Sequence, residues 1–76
     1  MKKRGRSEGP SPLDVVALLA DFPAQEVARG QVGTVVEKLD PLTMLVEFSD
    51  DAGRAYALGP FPADALLVLH YLPEAA

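Results

Sequence analysis

Few residues of this chain could do chemistry, and several classes of site are excluded by composition. The sequence contains no Cys and a single His, His70. A thiolate metal site, a thiol nucleophile and a two-histidine site within one chain are therefore ruled out. His70 is the one candidate general base near neutral pH, and no Ser lies among the glycines of a nucleophile elbow. We expect no enzyme activity, no cofactor and no metal.

Adjacent aspartates form the one acidic group with metal-ligand chemistry. Asp50 and Asp51, together with Asp40, carry the oxygen ligands that hard cations prefer. Their spacing matches no calcium loop, because alternate acids and a glutamate twelve positions along are missing. Gly53 follows at the position where a type I turn with a bulge requires a left-handed residue. The pattern therefore favours turn-forming aspartates.

The interface candidates centre on Arg54 and Tyr56, which would share one face of a regular strand. Arg and Tyr are the residue types favoured at interface hot spots. The simpler alternative is a cross-strand pair between Arg54 and Glu47. The full set of candidate partner-binding residues is Glu37, Glu47, Asp50, Asp51, Arg54, Tyr56 and Phe61.

Charge divides the 76-residue chain into a basic start and an acidic body. Residues 1–9 hold four basic residues and one acidic residue, a net charge of +3, whereas residues 10–76 hold three basic and ten acidic residues, a net charge of −7. An acidic body repels nucleic-acid phosphates and attracts basic partners. The Gly-, Ser- and Pro-rich segment 1–12 is predicted to be a disordered basic tail, with a short C-terminal tail over residues 73–76.

Prolines separate short apolar segments, and these segments are predicted to be strands. Five strands are predicted, over residues 14–19, 32–39, 44–49, 54–58 and 66–69, with a loop over residues 21–26 and a helical turn over residues 62–65. A helix over residues 62–72 is the alternative for the last segment. Gly59 and Pro60 are expected to end the fourth strand.

This spacing, without a long helix, predicts an all-β fold: a small five-stranded antiparallel barrel over residues 13–72. Closing the sheet would hide its edges and let a short chain share one core. The predicted core consists of Val15, Leu19, Val32, Val35, Met44, Val46, Phe48, Tyr56, Leu58, Leu66 and Val68.

The most informative local motif is Arg29-Gly30-Gln31-Val32-Gly33-Thr34-Val35-Val36. Gly30 fits a tight turn with positive φ, and Gly33 fits a strand kink or bulge. The motif resembles the glycine-centred motif of KOW-type, SH3-like barrels, which implies either RNA contact or glycines that only allow the sheet to curve.

A wider resemblance adds the segments 13–18 and 46–58 in the same order. Over roughly residues 13–72 the chain resembles the bacterial domain-of-unknown-function family 4926. The resemblance implies a small SH3-like barrel with no assigned activity. It also implies toxin-like partners, and hence an antitoxin or immunity role.

Three functions follow as hypotheses. The first is a non-enzymatic acidic module that occludes a basic protein partner. The second is a KOW-like nucleic-acid- or ribosome-associated protein, whose weak contact would run through the tail. The third is an accessory subunit, with the apolar last strand buried on both faces. No apolar run is long enough to span a membrane, and no signal-peptide core follows the basic start. We therefore expect a cytoplasmic protein without a membrane partner, whose oligomeric state stays open.

Overall fold

The computed structural model describes residues 9–70 and Pro73. It consists of five strands: β1 (Val15–Leu18), β2 (Val32–Asp40), β3 (Thr43–Ser49), β4 (Ala55–Pro62) and β5 (Leu66–Val68). Two 3-10 turns, Pro23–Gln25 and Ala63–Ala65, lie in the β1–β2 loop and before β5. Residues 1–8 of the predicted basic tail and residues 74–76 of the C-terminal tail lie outside this description. No helix in the described part is long and apolar enough to cross a membrane.

The strands form one antiparallel sheet in the order β4-β3-β2-β1-β5. The predicted all-β class and all five strands are confirmed. The helix alternative after Pro62 is wrong, because β5 pairs with β1 there. The sheet is not closed: β4 and β5 are its two edges, and no ladder joins them among the described residues.

One apolar cluster lies on one face of the sheet. Seven side chains of the cluster are at most 1% exposed: Val16, Leu18, Val35, Met44, Val46, Phe48 and Phe61. Val27 and Leu66 complete the cluster. Three of the rings stack edge to face: Phe61 lies with its ring centroid 5.1 Å from that of Phe22 and 5.4 Å from that of Phe48. Burial of these side chains supplies the main driving force for folding.

The predicted core is correct for β3 and wrong at several positions elsewhere. In β1 the buried residues are Val16 and Leu18, whereas Leu19 is 48% exposed. Both faces of this strand carry apolar side chains. The pairing of Val16 with Gly33 therefore decides which face is buried. Val32 is also on the outer face, with 48% exposure.

The fourth strand continues through Gly59 and Pro60, contrary to the predicted break. Ala55 lies opposite Ser49 and Ala57 lies opposite Phe48, so Tyr56 is an extra residue of β4 and Ala57 faces the core. Tyr56 and Leu58 therefore point outward, where they are 46% and 60% exposed. The two predicted core positions are wrong for this reason.

Proline is tolerated in β4 because this strand is an edge of the sheet. Pro60 and Pro62 lie opposite Leu45 and Thr43 and carry no N–H to donate. The Pro60 carbonyl accepts a hydrogen bond of 3.1 Å from Nε2 of Gln25. The β4 edge is thus blocked against further strand pairing.

The two glycines of the motif have different roles. Gly30 has φ +90°, as predicted for a tight turn, and a Cβ there would meet no atom within 4 Å. Gly33 pairs regularly with Val16 of β1 and with Phe48 of β3. The bulges of β2 occur after Val35 and after Lys38 instead. A Cβ on Gly33 would lie 2.8 Å from the Glu47 carbonyl oxygen and the Phe48 ring. Close packing, not a bulge, therefore requires Gly33.

Gly33→Ala should destabilise the fold by about 2–3 kcal/mol, because backbone and a buried ring must both move. Gly30→Ala is the matched control and should cost only about 1 kcal/mol, the strain of a left-handed alanine. Urea denaturation of both variants measures the difference. An equal or larger loss in Gly30→Ala would contradict this assignment.

Candidate functional site

An open groove of about 470 Å³ lies where the β3–β4 hairpin faces the end of the β1–β2 loop. We call it the hairpin groove. It is lined by Gln31, Ser49, Asp50, Asp51, Ala52, Arg54 and Tyr56. Four of the seven predicted partner-binding residues are therefore brought together: Asp50, Asp51, Arg54 and Tyr56.

The hairpin turn is built around the Asp50 carboxylate. Its Oδ1 accepts hydrogen bonds from the backbone N–H groups of Ala52 (2.9 Å) and Arg54 (3.0 Å). Gly53, with φ +82°, donates its N–H to the Asp50 carbonyl at 2.9 Å. The predicted type I turn with a left-handed glycine is confirmed. Asp50 consequently shapes the loop and has little capacity left for a partner.

Arg54 pairs within the hairpin and not across the strands. Its Nε lies 3.4 Å from Oδ2 of Asp50, and this is the one ion pair within residues 9–70. The alternative pair with Glu47 is wrong, because Glu47 lies opposite Leu58 and Thr34. The Arg54 side chain is 81% exposed, so solvent weakens its pair with Asp50.

Asp51 is the available anion of the groove. It is exposed and makes no hydrogen bond or ion pair within the described part of the chain. Its carboxylate keeps all its acceptor sites for water or a partner cation. Ser49, also exposed, adds a hydroxyl to the same lining.

Tyr56 provides the apolar surface of the groove, and Gln31 holds it in place. The Gln31 side chain donates from Nε2 to the Tyr56 hydroxyl and accepts the backbone N–H of Ala28 through Oε1. This amide therefore ties β4 to the β1–β2 loop, and the ring stays 46% exposed. Sequence reasoning missed Gln31, although it lies between the two glycines of the motif.

The groove continues into two neighbouring depressions. Tyr56 also lines a hollow of about 150 Å³ with Gln25 and Leu58. Gln31 also lines one of about 370 Å³ with Asp21 and Glu26. Tyr56 and Gln31 therefore each line two depressions.

Three predicted partner-binding residues lie outside the groove. Phe61 is 1% exposed between Phe22 and Phe48, so its side chain is closed off from a partner and its prediction as a partner-binding residue is wrong. Glu37 lies opposite Leu45, five residues before Asp50, or about 16 Å along the strand. Glu47 is half-buried on the outer face of β3.

Tyr56→Phe should lower the free energy of unfolding by about 1 kcal/mol, because the Gln31 amide loses its acceptor. Urea denaturation measures this change. Leu58→Ala, at an exposed neighbour on the same strand face, is the control and should change stability less. A stability equal to wild type in Tyr56→Phe would contradict the proposed tie between β4 and the loop.

Comparisons with known proteins complete the description of the site. No curated protein and no solved structure matched the chain. The family described as domain of unknown function DUF4926 matches residues 13–68. This range contains all five strands and every residue of the hairpin groove. The resemblance found in the sequence is thereby confirmed: the chain belongs to the DUF4926 family.

Proposed function

We propose that this chain is a non-enzymatic, cytoplasmic protein-binding module whose hairpin groove receives a basic segment of a partner protein. The observation that carries the proposal is the pairing of an exposed aromatic ring, Tyr56, with an uncommitted carboxylate, Asp51, in one groove. A partner Lys or Arg would place its stem on the ring and its charge beside the carboxylate.

The charge of the body supports a basic partner. Residues 9–70 carry nine acidic residues against three basic ones, Arg29, Lys38 and Arg54. Arg54 is already paired with Asp50. The resulting negative potential would raise the association rate with a basic protein and would oppose binding of a phosphate backbone to the body.

The rigidity of the groove supports binding over a purely structural role. The Asp50 turn fixes one wall, and the Gln31 amide fixes the orientation of the Tyr56 ring. Side chains that are already held in place lose less entropy when a partner binds.

The class of partner follows from charge. Ribonuclease-type enzymes need a positive surface to hold their substrate, so a module of this charge would occlude such an active site. We therefore propose an antitoxin- or immunity-type role as the specific form of this function. The module would act by steric occlusion.

The test is affinity capture with the full chain from lysate of its native host, half of it nuclease-treated. We expect a basic protein near one-to-one, insensitive to nuclease and released by salt. Tyr56→Ala should weaken capture roughly 30-fold, as expected for a hot-spot aromatic residue worth about 2 kcal/mol. Recovery of RNA or ribosomal proteins that disappears after nuclease treatment would contradict the proposal and favour the nucleic-acid alternative.

Asp51→Lys and Glu37→Lys form a matched pair, since both change the net charge equally. Asp51→Lys should abolish capture, because it places a cation in the hairpin groove. Glu37→Lys, outside the groove, should reduce only the association rate. Equal losses in both variants would show that net charge, and not the groove, determines binding.

A further inference from the structure

The two edges of the sheet differ in their capacity to pair with another strand. On the β4 edge, Pro60 and Pro62 have no backbone N–H to donate, and the Pro60 carbonyl already accepts a hydrogen bond from the Gln25 side chain. The β5 edge has no proline and no charged residue from Ala65 to Leu69. Edge strands without such protection are templates for strand addition.

The hydrogen bonds to β1 show which groups β5 leaves open. Leu69 donates its N–H to the Val15 carbonyl, and the Ala65 carbonyl accepts the N–H of Leu19, both at 2.8 Å. Residues 65, 67 and 69 therefore direct their backbone groups toward β1, and residues 66 and 68 direct theirs away from it. The Leu66 N–H is taken by the Ala63 carbonyl. The Leu66 carbonyl and both backbone groups of Val68 remain on the open side.

The outer surface beside this edge is apolar and electrically balanced. An open groove of about 580 Å³ is lined by Ala17, Leu19 and Leu67 together with Asp21 and Arg29. Leu67 and Leu19 are 50% and 48% exposed. One acid and one base give this lining a net charge of zero, in contrast to the acidic body.

An apolar lining without net charge can pack against a copy of itself without charge repulsion, as a twofold interface requires. A basic partner would meet no excess of acid here. We propose that a second copy of this chain binds antiparallel along the open edge of β5, with the twofold axis at Leu67.

In this register the unpaired backbone groups of Leu66 and Val68 form hydrogen bonds with those of the second copy. Each Val68 N–H donates to the Leu66 carbonyl of the other copy, and the two Leu67 side chains meet on the outer face. The end of β5 that follows Asp64 comes beside the end that precedes His70 of the second copy. Because the β4 edge is blocked, association stops at two copies and does not continue into a filament.

The test is sedimentation velocity of the full chain over a concentration series. We expect a dimer for wild type and a monomer for Leu67→Glu, with association weakened at least about tenfold. Two glutamates would face each other at the axis, and like charges directly opposite are destabilising. Leu58→Glu is the matched control on the outer face of β4 and should remain dimeric.

Mixing Leu67→Glu with Leu67→Lys should restore a dimer, because opposite charges would then meet at the axis. This rescue also shows that both variants fold. A monomeric wild type at every concentration, a dimeric Leu67→Glu, a monomeric Leu58→Glu or a failed rescue would each overturn the proposal. Tyr56→Ala should dimerise like wild type, so this interface and the hairpin groove are tested independently.

Discussion

The structure depends on the close approach of the Phe48 ring to the backbone of Gly33. These two residues pair directly, and the row continues through Val16 to Val68 on one side and to Ala57 on the other, so it crosses all five strands. The missing Cβ of Gly33 leaves space for the ring. Any shift of this row by one residue would exchange the buried and exposed faces of the sheet.

The same row positions the candidate site. Phe48 packs on Phe61, which packs on Phe22, so the core reaches into the β1–β2 loop. That loop carries Gln31, which reaches the Tyr56 hydroxyl. A chain of aromatic contacts and one side-chain amide thus determines where the exposed ring lies relative to the hairpin.

The net charge of the chain overstates the number of carboxylates that are available to bind a partner. Four aspartates accept hydrogen bonds from nearby backbone N–H groups and so hold turns: Asp14, Asp21, Asp40 and Asp50. Asp51 is the uncommitted acid of the hairpin groove. The difference between neighbours as similar as Asp50 and Asp51 comes from turn geometry and not from residue type.

The sequence by itself determined the strands, the hairpin turn at Gly53 and the tight turn at Gly30, because proline, glycine and β-branched residues act locally. It also determined the family. Only the tertiary structure decided which face of β1 and β4 is buried. Both faces of β1 carry apolar residues, and the extra residue Tyr56 in the β4 pairing leaves Tyr56 on the outer face and Phe61 in the core. The Gln31–Tyr56 contact joins residues 25 positions apart, and no local pattern encodes a contact made by strand pairing.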